Sequence, residues 1–456
     1  MASVVTPLVY RVASGRPVNA GRWPGGRVGG GITLADAVMS GTFATAVPTS
    51  VNTALMGDSL TTHLLGYNWS PFWWANGLAA GGALKLIANA GISGNTIGDM
   101  LARVNNAYTN ATPGLAGLGT VGRIFLRAGT NDCRSQTPWS SVSSNASALL
   151  TALKALCTGR IIILSVPPVG PTEANYAAIN AVTLTYNTGW AALAAADPTR
   201  LLFVNDSANL RDGSGAQLSG YFNGDGIHND GRATWREGVD LAADTAFIAE
   251  VSGYPSPLST DAADIYPAQP QWNPNHVMAG TGGGGGFTGQ VATGYSVGGY
   301  GSGFAGTVAK VAADVGDPNQ TPWQRVSPTQ VGYTGGGEAL LITAALSGRA
   351  VTSVDPAGLD ITVEVRFNAF DTTKFKWSRI MIMGGTSSQP IMPDLDLKMG
   401  GESSITHSSV VARIAMPRLS GGVSESGLSL RWEWATRSAF TGSMGSFDFR
   451  CLTVRG

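Results

Sequence analysis

Between residues 51 and 250, short apolar runs alternate with longer stretches rich in Ala and Leu. Thr53 to Met56 is apolar enough for a buried strand that ends at a Gly57 turn. Val121 to Ala128 reads as a strand feeding into Gly129. Arg160 to Val166 holds Ile161-Ile162-Ile163-Leu164, a continuous apolar run typical of a strand covered on both faces. Leu201 to Val204 is the next strand. Helices are expected over Trp73 to Ala88, Ile97 to Ala107, Ser143 to Cys157, Tyr176 to Ala195 and Trp235 to Val251. Asn95 or Thr96 would cap the second of these. Strands alternating with helices imply βαβ units, and hence a parallel sheet with helices on both faces. Ligands bind such sheets beyond the carboxyl ends of the strands, which is where Gly57 and Gly129 fall.

The pattern changes near residue 252. Tyr254-Pro255-Ser256-Pro257 and Pro267 to Pro274 read as linker. Thr281 to Gly306 is glycine-dense, with Gly282 to Gly286 uninterrupted, which rules out helix and leaves loops or Gly-rich strands. From Gly358 onward an alternation of period two recurs, over Ile361 to Phe367, Arg379 to Met383, Val410 to Met416, Leu428 to Trp434 and Phe447 to Val454. Turn residues separate these runs, the pattern of an antiparallel β-sandwich or jelly roll. At the other end, Gly21 to Gly31 cannot hold a helix, because glycine entropy and a missing proline donor oppose it. Ile32 to Met39 is long enough for one or two helical turns. Three regions result: an arm rich in Gly, Arg and Pro over 1–50, an α/β domain over 51–252, and a linker plus all-β accessory domain over 253–456. A chain of 456 residues is too long for one ordinary domain.

Charge narrows the choice of partner. Formal net charge is zero and 13% of residues are charged, so no basic patch argues for nucleic acid and no charge run for an anionic membrane. No stretch of about 18 apolar residues predicts a membrane span. Met-Ala-Ser-Val-Val-Thr-Pro lacks a basic segment followed by a long apolar core, so no secretory leader is expected. The three cysteines, Cys133, Cys157 and Cys451, form no disulfide framework and no zinc spacing. Cys133 follows Asp132 directly, with no base beside it in sequence, and reads as a small buried residue rather than a reactive thiol. Neither a metal nor a cofactor is expected.

The chemistry lies in four loop-type clusters: Gly57-Asp58-Ser59-Leu60, Asn89-Ala90-Gly91-Ile92-Ser93-Gly94-Asn95-Thr96, Gly129-Thr130-Asn131-Asp132 and Asp225-Gly226-Ile227-His228. Serine is a poor nucleophile until a base takes its proton, and Ser59 sits at the turn after a buried strand. Of four histidines, only His228 has an acid three residues before it. Asp225 can accept from one imidazole nitrogen while the other faces Ser59. His63, His276 and His407 have no such partner, and His63 reads as part of a cleft wall. Asp58 is expected to order its own turn, and Asp132 to be structural. Tyr67-Asn68-Trp69-Ser70-Pro71-Phe72-Trp73-Trp74 is unusually aromatic. Trp73 and Trp74 read mainly as core, while Tyr67 and Trp69 are candidates for a substrate wall. No Gly-x-Ser-x-Gly elbow surrounds Ser59.

These four blocks, in this order, resemble the SGNH (GDSL-type) hydrolases over about residues 51–250. The resemblance implies a three-layer α/β/α fold and ester hydrolysis by a Ser59, His228 and Asp225 triad. It also implies an oxyanion hole made of the Ser59 N–H, the Gly94 N–H and the Asn131 side-chain amide. Gly91 competes with Gly94. The family pattern puts the glycine immediately before the Asn-Thr pair, which selects Gly94. Family members act on carbohydrate O-acetyl groups, lipids, thioesters and aryl esters. The β-rich domain and the absence of a long apolar lid favour an acetylated glycan as substrate. The layout is also similar to bacteriophage tail proteins that de-esterify surface glycans, which implies a virion or extracellular location and a homotrimer. The competing readings are a short-chain lipase or polyester hydrolase, and a glycan-binding adhesin with an inactive esterase domain.

Overall fold

In a computed structural model, the structure describes residues 27–28, 32–33, 51–61, 71–109, 113–222, 224–229, 231–252, 254, 273, 275, 277–315, 320–334, 338–345, 360–383, 395–397, 405–415 and 429–455. Five strands form a parallel sheet: β1 (Val51–Gly57), β2 (Leu84–Gly91), β3 (Arg123–Arg127), β4 (Ile161–Leu164) and β5 (Leu201–Val204). Their spatial order is β2-β1-β3-β4-β5. The chain therefore reverses direction across the sheet between β1 and β3, the switch point at which α/β sheets open a crevice. Every residue of β4 is buried, as its unbroken apolar run requires when both faces are covered.

The helices are α1 (Phe72–Ala79), α2 (Ile97–Arg103), α3 (Thr130–Arg134), α4 (Trp139–Leu156), α5 (Tyr176–Ala196), α6 (Gly231–Ala243) and α7 (Thr245–Val251). A capping box starts α2, where the Thr96 hydroxyl accepts from Asp99 N–H and the Asp99 carboxylate accepts from Thr96 N–H. Along α5, Ile179, Thr183, Tyr186, Trp190 and Ala194 are buried, spaced by three and four residues as one helical face demands.

Two helix expectations need correction. The helix expected over Trp73 to Ala88 stops at Ala79, and residues 84–91 are strand β2. Gly81 and Gly82 take φ of +55° and +78°, a left-handed turn that an L side chain resists and that ends the helix. Pairing with β1 then overrides the helical preference of Leu, Lys and Ala. The single helix expected over Trp235 to Val251 is two, because the Asp244 carboxylate caps α7 by accepting from Phe247 N–H at 2.8 Å. In the arm, Ile32–Thr33 pair antiparallel with Arg27–Val28 instead of starting a helix; the rest of that stretch lies outside the described residues.

The C-terminal region builds two further sheets from β6 (Gly282–Gly284), β7 (Thr288–Gly289), β8 (Val291–Tyr300), β9 (Ala305–Val311), β10 (Trp323–Val331), β11 (Ala339–Ala345), β12 (Asp360–Phe370), β13 (Phe375–Met383), β14 (Leu395–Leu397), β15 (Ile405–Ala415), β16 (Ser429–Thr436), β17 (Phe440–Thr441) and β18 (Ser446–Arg455). One runs β14-β13-β16-β11-β8-β6. The other runs β15-β12-β18-β10-β9-β7, with β17 pairing to β10. Pairs are antiparallel except β6 with β8 and β7 with β9. Aromatic rings join the two sheets: Trp434 lies 5.2 Å from Phe447 and Trp432 5.8 Å from Phe449, centroid to centroid. The expected sandwich is therefore present, and it begins earlier than the alternation at Gly358 indicated. No helix among the described residues is long and apolar enough to cross a membrane.

Candidate active site

The ends of β1, β2 and β3 and the loop before α6 carry the four sequence clusters. Ser59 follows β1 and is 8% exposed. Asp58 orders that turn by accepting from Leu60 N–H through Oδ1 at 3.0 Å, and burial pushes its carboxyl above the ordinary range. Asn131 lies in the first turn of α3, whose start is held by its neighbours α5 and α2. The Trp190 indole N–H donates to Ala128 O at 3.1 Å, and Asp132 accepts from Ile97 N–H at 3.0 Å, tying α3 to α2.

The Asp225–His228 loop is an Asx turn. Asp225 Oδ1 accepts from the N–H of Ile227 and of His228, at 2.9 and 3.0 Å. Gly226 has φ +69°, and a Cβ there would come within 2.2 Å of the Thr172 hydroxyl, so only glycine fits. Its carbonyl accepts from Gly170 N–H at 2.6 Å and from Gln217 Nε2 at 2.9 Å. That turn points both functional side chains one way. Asp225 Oδ2 lies 2.6 Å from His228 Nδ1, and His228 Nε2 lies 2.9 Å from Ser59 Oγ. Burial alone would raise the Asp225 carboxyl, but hydrogen bonds from the His228 ring and from two backbone N–H groups hold it below the usual carboxylate value. It is therefore an anion at neutral pH, acting on a ring that is 23% exposed.

Beside Ser59, Gly94 (φ +81°) occupies an exposed turn between β2 and α2. The N–H groups of Ser59 and Gly94 meet no acceptor among the described residues. The competing Gly91 ends β2, and its N–H donates to Asn89 Oδ1 at 3.1 Å. Asn131 Nδ2 donates to Asn95 O at 3.0 Å, and this bond sets the side-chain amide against the Gly94 turn. All five expected site residues thus lie at the same edge of the sheet, three of them in one hydrogen-bonded line. Trp74 is core, packed edge-on against Trp235 at 4.7 Å. Cys133 is buried, and desolvation pushes its thiol well up. His63, Tyr67, Trp69 and His276 lie outside the described residues, as do the side chains of Trp73 and His407. Among the described residues no cluster of His, Cys, Asp and Glu could hold a metal.

Sequence reasoning missed the layer beneath. Arg127, the last residue of β3, reaches Asp206 and both oxygens of Glu237, the latter at 2.9 and 3.0 Å. Glu237 also accepts from Asn229, the neighbour of His228, at 2.6 Å. Arg103 reaches toward the nucleophile turn from α2.

A parallel sheet of this order, with a hydroxyl, an imidazole and a carboxylate aligned at its switch point, defines a three-layer α/β/α hydrolase domain. Residues 55–233 match the GDSL-like Lipase/Acylhydrolase family. Over that segment the chain is similar to this family, and the match supports a carboxylic ester hydrolase. Similar solved structures include a GDSL-like lipase from Bacteroides thetaiotaomicron, with 20% identity, covering 47% of this chain and 97% of that one, at a TM-score of 0.34. A lipase/acylhydrolase from Enterococcus faecalis has 17% identity over 44% of this chain and 96% of that one, at 0.31. A member of the lipolytic protein G-D-S-L family from Veillonella parvula has 15% identity over 43% and 99%, at 0.33. No curated protein matches the chain.

Proposed function

We propose that the chain removes O-acetyl groups from a carbohydrate through an acyl-enzyme on Ser59. The observation that carries the reading is the unbroken line from Ser59 Oγ to His228 Nε2 at 2.9 Å and from Nδ1 to Asp225 Oδ2 at 2.6 Å. Ser59 Oγ attacks the ester carbonyl carbon while its proton passes to His228 Nε2. Asp225 fixes the tautomer and stabilises the imidazolium. The carbonyl oxygen becomes an oxyanion, met by the Ser59 and Gly94 N–H groups and the Asn131 amide. Collapse expels the alcohol, which takes the proton from His228. Water then attacks the acyl-serine by the same path in reverse, releasing acetate and restoring the hydroxyl.

The acyl acceptor is inferred from the layout. A sandwich domain joined to the hydrolase suits an extended, polar polymer, and a glycan hydroxyl is the chemistry such a partner presents. By the same reasoning the setting is a virion tail or a cell surface, with a homotrimer as the assembly.

A panel of aryl acetate, butyrate and longer esters, run beside acetylated polysaccharides, tests this. Ser59→Ala should lower turnover at least about 10⁴-fold, and acetate release from polysaccharide should exceed release of longer acyl groups. A rate that climbs with chain length would favour a short-chain lipase or polyester hydrolase. Equal rates in wild type and Ser59→Ala would leave glycan binding as the function.

A further inference from the structure

We propose that Arg103 is a positioning residue of the oxyanion site, its guanidinium clamping the nucleophile turn to the Gly94 turn. The inference rests on the esterase reading above. Arg103 is the last residue of α2 and only 7% exposed, although an arginine in the last turn of a short helix would ordinarily point into solvent. Its three donor arms go to three separate segments. Nη2 donates to Gly57 O at 3.0 Å, two residues before Ser59. Nε donates to Asn95 Oδ1 at 2.6 Å, one residue after Gly94. Nη1 donates to Pro113 O, in a loop pressed against the helix end so closely that a Cβ on Gly114 would sit 2.6 Å from Arg103 O.

Two further bonds close the frame. Gly57 O also accepts from Ile92 N–H at 3.1 Å, and Asn95 O accepts from Asn131 Nδ2 at 3.0 Å. Asn95 is therefore held by Arg103 through its side chain while it holds Asn131 through its backbone. The segments bearing all three oxyanion donors meet at Arg103 or one residue away from it. A planar fork suits that task, since its donors leave in fixed directions, whereas an ammonium offers one point.

Charge points the same way. All three hydrogen-bond acceptors are neutral oxygens. Burial lowers the guanidinium to about 10, so the group remains a cation at neutral pH. Asp99, on the exposed side of the same helix, is the carboxylate that acts on it. A buried cation without a bonded carboxylate is costly by itself. It is best matched when negative charge develops on the carbonyl oxygen, so part of its field is reserved for the transition state.

The test uses the full chain and an aryl acetate. Arg103→Gln should lower kcat about 100-fold with KM nearly unchanged, the scale of a displacement of about 1 Å in a reacting geometry. Arg103→Lys, which keeps the charge and loses the fork, should recover only part of that loss. Asn131→Ala alone should cost about 100- to 1000-fold in kcat. Combined with Arg103→Gln it should cost less than the product of the two, because both act through Asn95. Should Arg103→Gln fail to fold, Asn95→Ala carries the test, with an expected drop of about tenfold in kcat and an unchanged melting temperature. Wild-type kcat in a folded Arg103→Gln or Asn95→Ala, a loss confined to KM, or fully multiplicative losses in the double variant would overturn the proposal. Turnover that depends on Ser59 but is indifferent to Arg103 removes this inference alone. A wild type without turnover on any ester removes the esterase reading itself.

Discussion

On the seven-stranded sheet of the sandwich, Arg450 (2% exposed) meets Glu364 at 2.7 Å. Asp448 lies between Arg325 and Arg366, at 2.8 and 2.6 Å, and Arg366 also meets Asp314 at 2.7 Å. Trp323 fills the row, with Arg366 and Arg450 4.5 and 4.0 Å from its ring. Arg325, Arg366 and Arg450 each have an anion. In the α/β unit, by contrast, Arg103 bonds only neutral oxygens, while Arg127 alone faces Asp206 and Glu237. Both mismatches lie at the carboxyl ends of the strands, directly under the candidate site. In this row matched charge ties strands together; under the candidate site, unmatched charge costs stability and faces the cleft chemistry.

The sharpest way to break that contrast is Arg127→Met. It would leave two fully buried carboxylates, with Asp58 near them, facing one another with no cation. Losing one partner of a buried ion pair costs about 3–5 kcal/mol, and a lowering of the melting temperature on that scale is expected at neutral pH. A calorimetric melt checks it. An unchanged melting temperature would mean that Arg127 contributes no more than a surface charge.

Asp448→Asn probes the other side and should cost less, about 1–3 kcal/mol. Arg325 is 35% exposed at its side chain and can turn to water, and Arg366 keeps Asp314. Turnover of an aryl acetate should stay at the wild-type level, since this row lies in the sandwich. A large loss of kcat in a folded Asp448→Asn would erase the distinction between architectural and functional charge.

Very little of this charge layer is legible in the sequence. The line through Ser59, His228 and Asp225 was readable because its parts are short motifs whose chemistry is local: an Asx turn needs only Asp225 and the glycine after it. Arg127 meets residues 79 and 110 positions away, and nothing local marks it. Arg103 falls inside the helix expected over Ile97 to Ala107, and nothing local marks it until the fold turns its side chain inward. Strand β2 was misread because Leu84-Lys85-Leu86-Ile87-Ala88 favours a helix locally, and only pairing with β1 decides otherwise. Strands β9 to β11 escaped notice for a related reason. Pro328 inside β10 argues against a strand, yet it sits opposite Gly306 at a bulge, where a lost donor is tolerated.

The smallest effect tests the mismatch most finely. Burial disfavours the charge on both Asp206 and Glu237, and one guanidinium can neutralise only one of them, so the pair is held above the ordinary carboxylate range. A carboxyl raised in the folded state binds its proton more tightly there than in the unfolded chain. Its contribution to stability is complete below the ordinary carboxylate value and is lost as pH rises through the raised one. Glu237→Gln abolishes that titration. At about pH 5 the variant should melt below wild type by an amount equivalent to about 1 kcal/mol, because its amide nitrogen sets a donor against Arg127 and Asn229, where the protonated carboxyl still turns an oxygen to each. Toward about pH 9 the gap should close, since wild type alone acquires the extra buried charge. A gap that widens with pH would show Glu237 acting as a stabilising anion, as Glu364 does for Arg450, and the α/β unit would then manage charge no differently from the sandwich.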